Sequence, residues 1–268
     1  MLGKLLKYEF KHTANLFLLL FGGLLLLSLV NVVLMKISAL LHGDNRVLYM
    51  ISGLLAVLFA IYFIGVLVAT VILCITRFCK NLLGREGYFM HTLPVGSWAH
   101  IAAKLIPAIV WTLASLVTMV LSVLIIGMGS LGESFTEIGN ALAQAVHTFV
   151  QYADAEVYLS LFELGVCLLV GAAVSYLAIY SALSIGYSFN KHKLLLSVAA
   201  YAVLYIIDNA VTALLLFAVD RTNSWHHLIA YEGVPHGYLW ILIAIMAVFS
   251  VAYYLLTNYF LKRRLNLQ

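Results

Sequence analysis

Six stretches of this chain run for twenty residues or more almost without charge: Leu16 to Met35, Leu48 to Ile75, Leu105 to Met128, Val157 to Tyr187, Leu194 to Val219 and Tyr238 to Leu261. An α-helix needs about 20 apolar residues to cross the hydrocarbon core of a bilayer. A soluble domain is about half apolar and about a quarter charged. Here 64% of 268 residues are apolar and only 10% are charged, more apolar surface than a fold of this size hides from water. Soluble enzymes and nucleic-acid-binding modules are therefore excluded, and six spans leave no length for a separate globular domain. Three prolines and 18 glycines rule out a collagen-like or disordered chain. The fold class that follows is all-α integral membrane, with six transmembrane helices in one domain over residues 1–268.

Orientation comes from the loops, because Lys and Arg accumulate on the cytoplasmic side. Lys4, Lys7, Lys11, Arg77, Lys80, Arg85, Lys104, Lys191, Lys193, Lys262, Arg263 and Arg264 fall on one side, which is 12 of the 15 basic residues. Lys36, Arg46 and Arg221 fall on the other. Both termini are thus expected in the cytoplasm. The acids are biased the other way, with Asp44, Glu133, Glu137, Asp154, Glu156, Asp220 and Glu232 outside and Glu9 and Glu86 inside. Glu163 and Asp208 fall within spans.

Residues 1–15 place Leu2, Leu6, Phe10, Thr13 and Phe17 on one helical face and Lys4, Lys7 and Lys11 on the opposite one. That pattern predicts an amphipathic helix in the membrane interface, its lysines toward anionic headgroups. The apolar run after it has no small-residue cleavage site of the signal-peptide kind, so it is expected to be retained as the first span. Leu131, Phe135, Ile138, Leu142, Ala145, Phe149 and Tyr152, spaced by fours and threes, predict a second amphipathic helix resting on the membrane or on another subunit. Pro107, just inside the third span, suits a first helical turn and would kink the helix elsewhere. The inner loop from Arg77 to Lys104 is longer than a connection requires. Its basic residues, Gly84 and Gly87, and the apolar anchors Tyr88, Phe89, Leu93 and Trp98 suit either docking to a cytoplasmic protein or an interfacial helix.

Candidate chemistry is sparse. The chain has no H-E-x-x-H, G-x-S-x-G, Walker-type or C-x-x-C motif, and Cys74, Cys79 and Cys167 read as small buried hydrophobes. Ionisable groups inside spans normally face a cavity or a partner. Glu163 lies roughly 9 Å and Asp208 roughly 16 Å from the outer ends of their helices at 1.5 Å per residue. Asp208 shares a face with Ser197, Tyr201, Tyr205 and Thr212, so Glu163, Tyr201, Tyr205, Asp208 and Thr212 form a candidate translocation pathway. The alternative is a buried tyrosine–carboxylate hydrogen bond. His226, His227, His236 and Glu232 share an outer loop, but their spacing fits no strong zinc pattern and no metal site is assigned. Gly171, Ser175, Ala178, Ala182 and Gly186 form a small-residue stripe that suits a dimer seam or an internal helix contact equally. Tyr176, Tyr180 and Tyr187 read as packing and interfacial anchors.

Two segments carry a family resemblance. The opening, with its Lys-rich run and the K-Y-E-F of Lys7 to Phe10, resembles the start of permease subunits of bacterial ABC transporters of the type-2 exporter class, found widely in Gram-positive bacteria. The run Glu86-Gly87-Tyr88, then Thr92-Leu93-Pro94-Val95, then Lys104, is similar to that family's stretch between the second and third spans. The resemblance implies a permease of the bacterial plasma membrane without an ATPase of its own. A separate nucleotide-binding subunit would bind ATP and Mg and hydrolyse the ATP, its dimer gripping two permease chains, identical or different. It implies contact with that ATPase through Lys4, Lys7 and Lys11 and through a cytoplasmic coupling helix containing Arg85, Glu86, Gly87, Tyr88 and Pro94. No cofactor is expected on this chain. Exported peptides, antibiotics or lipid-like molecules fit the family, and the lack of a large outer domain argues against substrate capture of the macrolide-exporter kind. The competing expectations are an ion-gradient-driven carrier using Asp208 and Glu163, or a non-transporting immunity or sensor subunit.

Overall fold

The computed structural model describes residues 2–40, 46–84, 87, 96–130, 135–152, 154–189, 191–221 and 236–263. Among these residues there are seven α-helices and no strand: α1 (Leu2–Leu40), α2 (Arg46–Phe78), α3 (Ser97–Ser130), α4 (Phe135–Tyr152), α5 (Ala155–Gly186), α6 (Lys193–Arg221) and α7 (His236–Arg263). α2 runs on into one π-helical turn, Cys79–Leu83. All but α4 are long and apolar enough to cross a membrane, so the chain is a multi-pass membrane protein with six candidate spans. In hydrocarbon every backbone N–H and C=O must be satisfied within the protein, and an open apolar segment manages that only as a helix.

Two boundaries differ from expectation. The segment expected to lie in the interface and the first span form one uninterrupted helix of 39 residues, about 58 Å long at 1.5 Å per residue. Nothing between Asn15 and Leu16 breaks the helix, because neither Gly nor Pro stands there. Its lysines Lys4, Lys7 and Lys11 are exposed, Leu2, Leu6 and Phe10 half-buried, and Thr13 and Phe17 buried, the facial division that the spacing predicts. The second difference is at α3, which begins eight residues before Leu105. Lys104 therefore sits inside the helix, buried beside His100 one turn earlier, rather than in a loop. Pro107 is likewise inside α3, not in its first turn; the helix continues past it without the N–H that the Ala103 carbonyl would otherwise receive.

The chain divides into two compact units. One holds Lys7–Leu73 and Val110–Ala153, most of α1 and α2, the second part of α3, and α4. Trp111 anchors it. Its ring stacks on Phe17 with centroids 4.6 Å apart, and its Nε1–H donates to Thr13 Oγ1 at 3.0 Å. The Thr13 hydroxyl in turn donates to the Glu9 carbonyl at 2.8 Å, so the indole is satisfied in an apolar setting. Gly23 lets the Tyr62 ring cross α1 and donate its hydroxyl to the Leu20 carbonyl at 3.2 Å. Ser28, Thr70, Thr118 and Ser122 donate their hydroxyls back into their own helices, which keeps them small and satisfied where helices pack. A helix, α4, is present over Phe135–Tyr152, and Asn140, Gln144, His147 and Thr148 are exposed on it together with Val146 and Val150. The side chains of its expected apolar face lie outside the described residues.

The other unit holds Met1–Leu6, Cys74–Ile109 and Asp154–Gln268. Here α5 packs along α7 and α6. α5 and α7 run parallel, with Glu163 beside His236 and Gly171 facing Met246. Phe78 lies flat on Tyr180 with ring centroids 3.9 Å apart. The hydroxyl of Ser97, the first residue of α3, donates to Asn258 Oδ1 near the end of α7 at 2.6 Å. Gly186 closes α5 against the start of α6, because a Cβ there would run into the Lys193 carbonyl and the backbone of Ser197. The small-residue stripe is thus an internal helix contact at Gly171 and Gly186, and Tyr176 and Tyr180 are buried packing residues.

Candidate functional site

These contacts sort the unit's charges by end. The ends of α2, α5 and α7 and the beginnings of α3 and α6 gather together, and they bring Arg77, Lys80, Lys191, Lys193 and Lys262 to one end. The starts of α5 and α7 form the other end, where Asp154 and Glu156 stand. The separation of basic from acidic loops drawn from the sequence is therefore present within this unit.

At the basic end the α5–α6 turn is tight. Tyr187 caps α5, its N–H donating to the Leu183 carbonyl, and His192 enters α6 with a φ of 56°, a left-handed conformation uncommon outside glycine. Lys193 Nζ lies 5.9 Å from the centre of the Tyr187 ring, within reach of a cation–π contact. Burial, reinforced by the Cys79 thiol, pushes the Tyr187 phenol above its usual value. Nearby, the π-helical turn ends at Gly84, where a Cβ would press on the Lys80 carbonyl. The Gly87 N–H closes a turn onto the Gly84 carbonyl at 2.9 Å, and Gly87 is buried. Arg85, Glu86, Tyr88 and Pro94, the other residues expected in the coupling segment, lie outside the described residues.

At the acidic end, the Glu163 side chain is fully buried in the third turn of α5. Its Oε2 lies 2.7 Å from Nδ1 of His236, the first residue of α7, and its Oε1 has no hydrogen-bond partner among the described residues. The His236 side chain is 29% exposed, so the pair runs from the surface to a closed interior. Sequence proximity had grouped His236 with His226, His227 and Glu232. Those three lie outside the described residues, and no cluster of three metal-ligating side chains occurs among the described ones. The signal that could have found the pair was an acid near the start of one span and a histidine at the start of another that enters from the same side.

Asp208 does not join this pair: the described residues show no hydrogen bond or ion pair between it and Glu163. It is half-buried, as is Thr212. The Tyr253 hydroxyl points to the Leu204 carbonyl at 3.5 Å. Tyr253 belongs to α7, so α6 touches α7 at Leu204, while Tyr201 and Tyr205, stacked with centroids 6.4 Å apart, are 40% and 59% exposed. Elsewhere, an apolar cavity of about 330 Å³ is lined by Phe63, Leu116, Met119, Val120, Val123 and Leu124. It offers no polar group and so no chemistry beyond accommodating a hydrocarbon chain. No family model, curated protein or solved structure matches the chain.

Proposed function

We propose that this chain is the membrane-spanning permease subunit of an ATP-driven ABC exporter in a bacterial plasma membrane, working with a second permease chain and a separate ATPase subunit. One observation carries the reading. Lys4 and the segment between the second and third spans, both implied by the family resemblance as ATPase contacts, fall in the same compact unit, which holds Met1–Leu6 and Cys74–Ile109, while Lys7 and Lys11 fall in the other unit. That unit also carries the basic helix ends described above, so Lys4, Arg77, Lys80, Lys191, Lys193 and Lys262 belong to one body for an ATPase subunit to grip. Both termini and these basic ends are then cytoplasmic, as the positive-inside rule requires. Closure of the ATPase dimer on ATP would bind one permease conformation better than the other and so shift the equilibrium between inward- and outward-open states. Peptides, antibiotics or lipid-like molecules are the proposed substrates.

The test is reconstitution. Purified from its native membrane into lipid nanodiscs, the chain is expected to retain a nucleotide-binding subunit and to support vanadate-sensitive ATP hydrolysis that disappears when the chain is left out. A complex without such hydrolysis removes the reading. The buried Glu163–His236 pair favours a second one, a carrier driven by an ion gradient. In that case transport would follow an imposed pH gradient without ATP and would fail in Glu163→Gln.

A further inference from the structure

The Glu163 carboxyl meets the polar groups around it through a single contact. It is fully buried, its Oε2 lies against His236 Nδ1, and its Oε1 has no hydrogen-bond partner among the described residues. No lysine or arginine pairs with it there. A carboxylate only accepts hydrogen bonds, so the Nδ1 that meets it carries the proton and donates. The neutral imidazole then holds its one free lone pair on Nε2, at the edge of the ring away from the carboxylate. The Nδ1 edge faces a closed interior while the side chain is 29% exposed, so the Nε2 edge is the one open to the outside.

We infer that His236 Nε2 binds a divalent transition-metal ion at the outer end of α7, with Glu163 as the buried residue that orients the ring. A metal-ligating histidine binds through one nitrogen and donates the other N–H to a carboxylate, which fixes the tautomer, holds the ring and raises its basicity. That is the arrangement of this pair. Charge gives a second reason. With the imidazole neutral, the pair holds one net negative charge away from water, and a cation on Nε2 offsets it across the ring. The first turn of α7 sets about half a positive charge beside the ring, less than the full charge behind it. Asp154 and Glu156 are exposed at the same end. Glu156, seven residues before Glu163, lies two turns outward on the same face of α5, roughly 10 Å away, and adds to the negative field that draws cations. Imidazole selects zinc, copper or nickel over magnesium and calcium, which prefer oxygen ligands. Water or other donors complete the shell, as at metal sites with open positions. The spacing of His226, His227, Glu232 and His236 assigned no metal; the contact with Glu163 changes the reading, and it concerns His236 alone.

The test measures metal and needs no ATP. The full chain, carrying an affinity tag without histidine, is stripped with a chelator, and Zn²⁺ is titrated in against a chromophoric competitor with Mg²⁺ in excess. Wild type is expected to show one saturable zinc site that Mg²⁺ does not displace, and His236→Ala to lose it. Glu163→Gln keeps an acceptor for the Nδ1–H but removes the charge. It is expected to keep the stoichiometry and to bind about 10- to 100-fold more weakly. His147→Ala, exposed on α4, is expected to bind as wild type does. Zinc binding that survives in His236→Ala, a site on the cysteines included, overturns the inference. So does a wild type that takes up no zinc, or a Glu163→Gln variant with wild-type affinity. If His236→Ala does not fold, the Glu163→Gln affinity decides. ATP hydrolysis, present or absent, bears on the exporter reading alone, so the two fail separately.

Discussion

His236 Nδ1 lies 2.7 Å from Glu163 Oε2, joining the first residue of α7 to the third turn of α5. The two groups are unequal. The carboxylate is fully buried and the imidazole is partly exposed, so the pair has one side in the protein and one at the surface. A buried charge loses several kcal/mol of hydration, which is recovered only when a partner stays in place. The contact therefore sets how far α7 can slide along α5, and the Gly171–Met246 approach further along the same two helices fits the same parallel register.

Removing the two partners should have unequal costs. His236→Ala leaves the buried carboxylate alone and is expected to destabilise the protein by about 3 kcal/mol. Glu163→Gln removes the charge but keeps an acceptor for the imidazole N–H, and is expected to cost about 1 kcal/mol or less. Thermal unfolding in detergent, followed by intrinsic fluorescence, measures both. Equal losses would mean that the carboxylate is not held as a charge.

The helices were legible because an apolar run in lipid has hardly another way to satisfy its backbone. The start of α3 was not, since Trp98, His100 and Lys104 interrupt the apolar run that marks a span, yet these residues continue the helix. Glu163 was legible as an ionisable group at depth, but its partner was not. His236 was read with the histidines nearest in sequence, and the parallel packing of α5 on α7 leaves no trace in either helix's periodicity. Tyr205 was read as lining a face turned toward its neighbours. It is more than half exposed, and the polar face it shares with Ser197, Tyr201, Asp208 and Thr212 does not by itself say what lies against it.

Gly186 offers a sharper test of packing. A methyl group there would meet backbone atoms, the Lys193 carbonyl and the Ser197 nitrogen, which do not rotate away as a side chain would. Gly186→Ala is expected to cost about 1–3 kcal/mol, the usual penalty for overpacking. Ser197→Gly should not rescue it, because the obstructing backbone remains. Recovery of wild-type thermal stability in the double variant would place the strain on the Ser197 hydroxyl instead.

Tyr187 predicts a pH dependence at the basic end. Burial and the Cys79 thiol raise its phenol in the folded protein, so folding favours the protonated form. The associated stability is complete below the unfolded value near 10 and is lost as pH rises through the higher folded value. Thermal stability should therefore fall more steeply above about pH 10 in wild type than in Tyr187→Phe, and the ultraviolet phenolate signal of the wild type should retain one late-titrating tyrosine that the variant lacks. Identical curves for the two proteins would exclude this contribution.

The lysines of α1 separate folding from coupling. Lys4, Lys7 and Lys11 are exposed, so reversing their charge should leave the helix and its Trp111 anchor intact. Within the proposed exporter they face an ATPase surface, and a charged contact that steers association is sensitive to salt and to sign. Changing all three to Glu is expected to leave expression and thermal stability near wild type while lowering ATPase co-purification about tenfold or more. In the wild-type complex, the same contact should weaken as salt rises from low to high ionic strength. Unchanged co-purification by a stable triple variant would move the ATPase contact away from α1 and leave the segment between α2 and α3 to carry it.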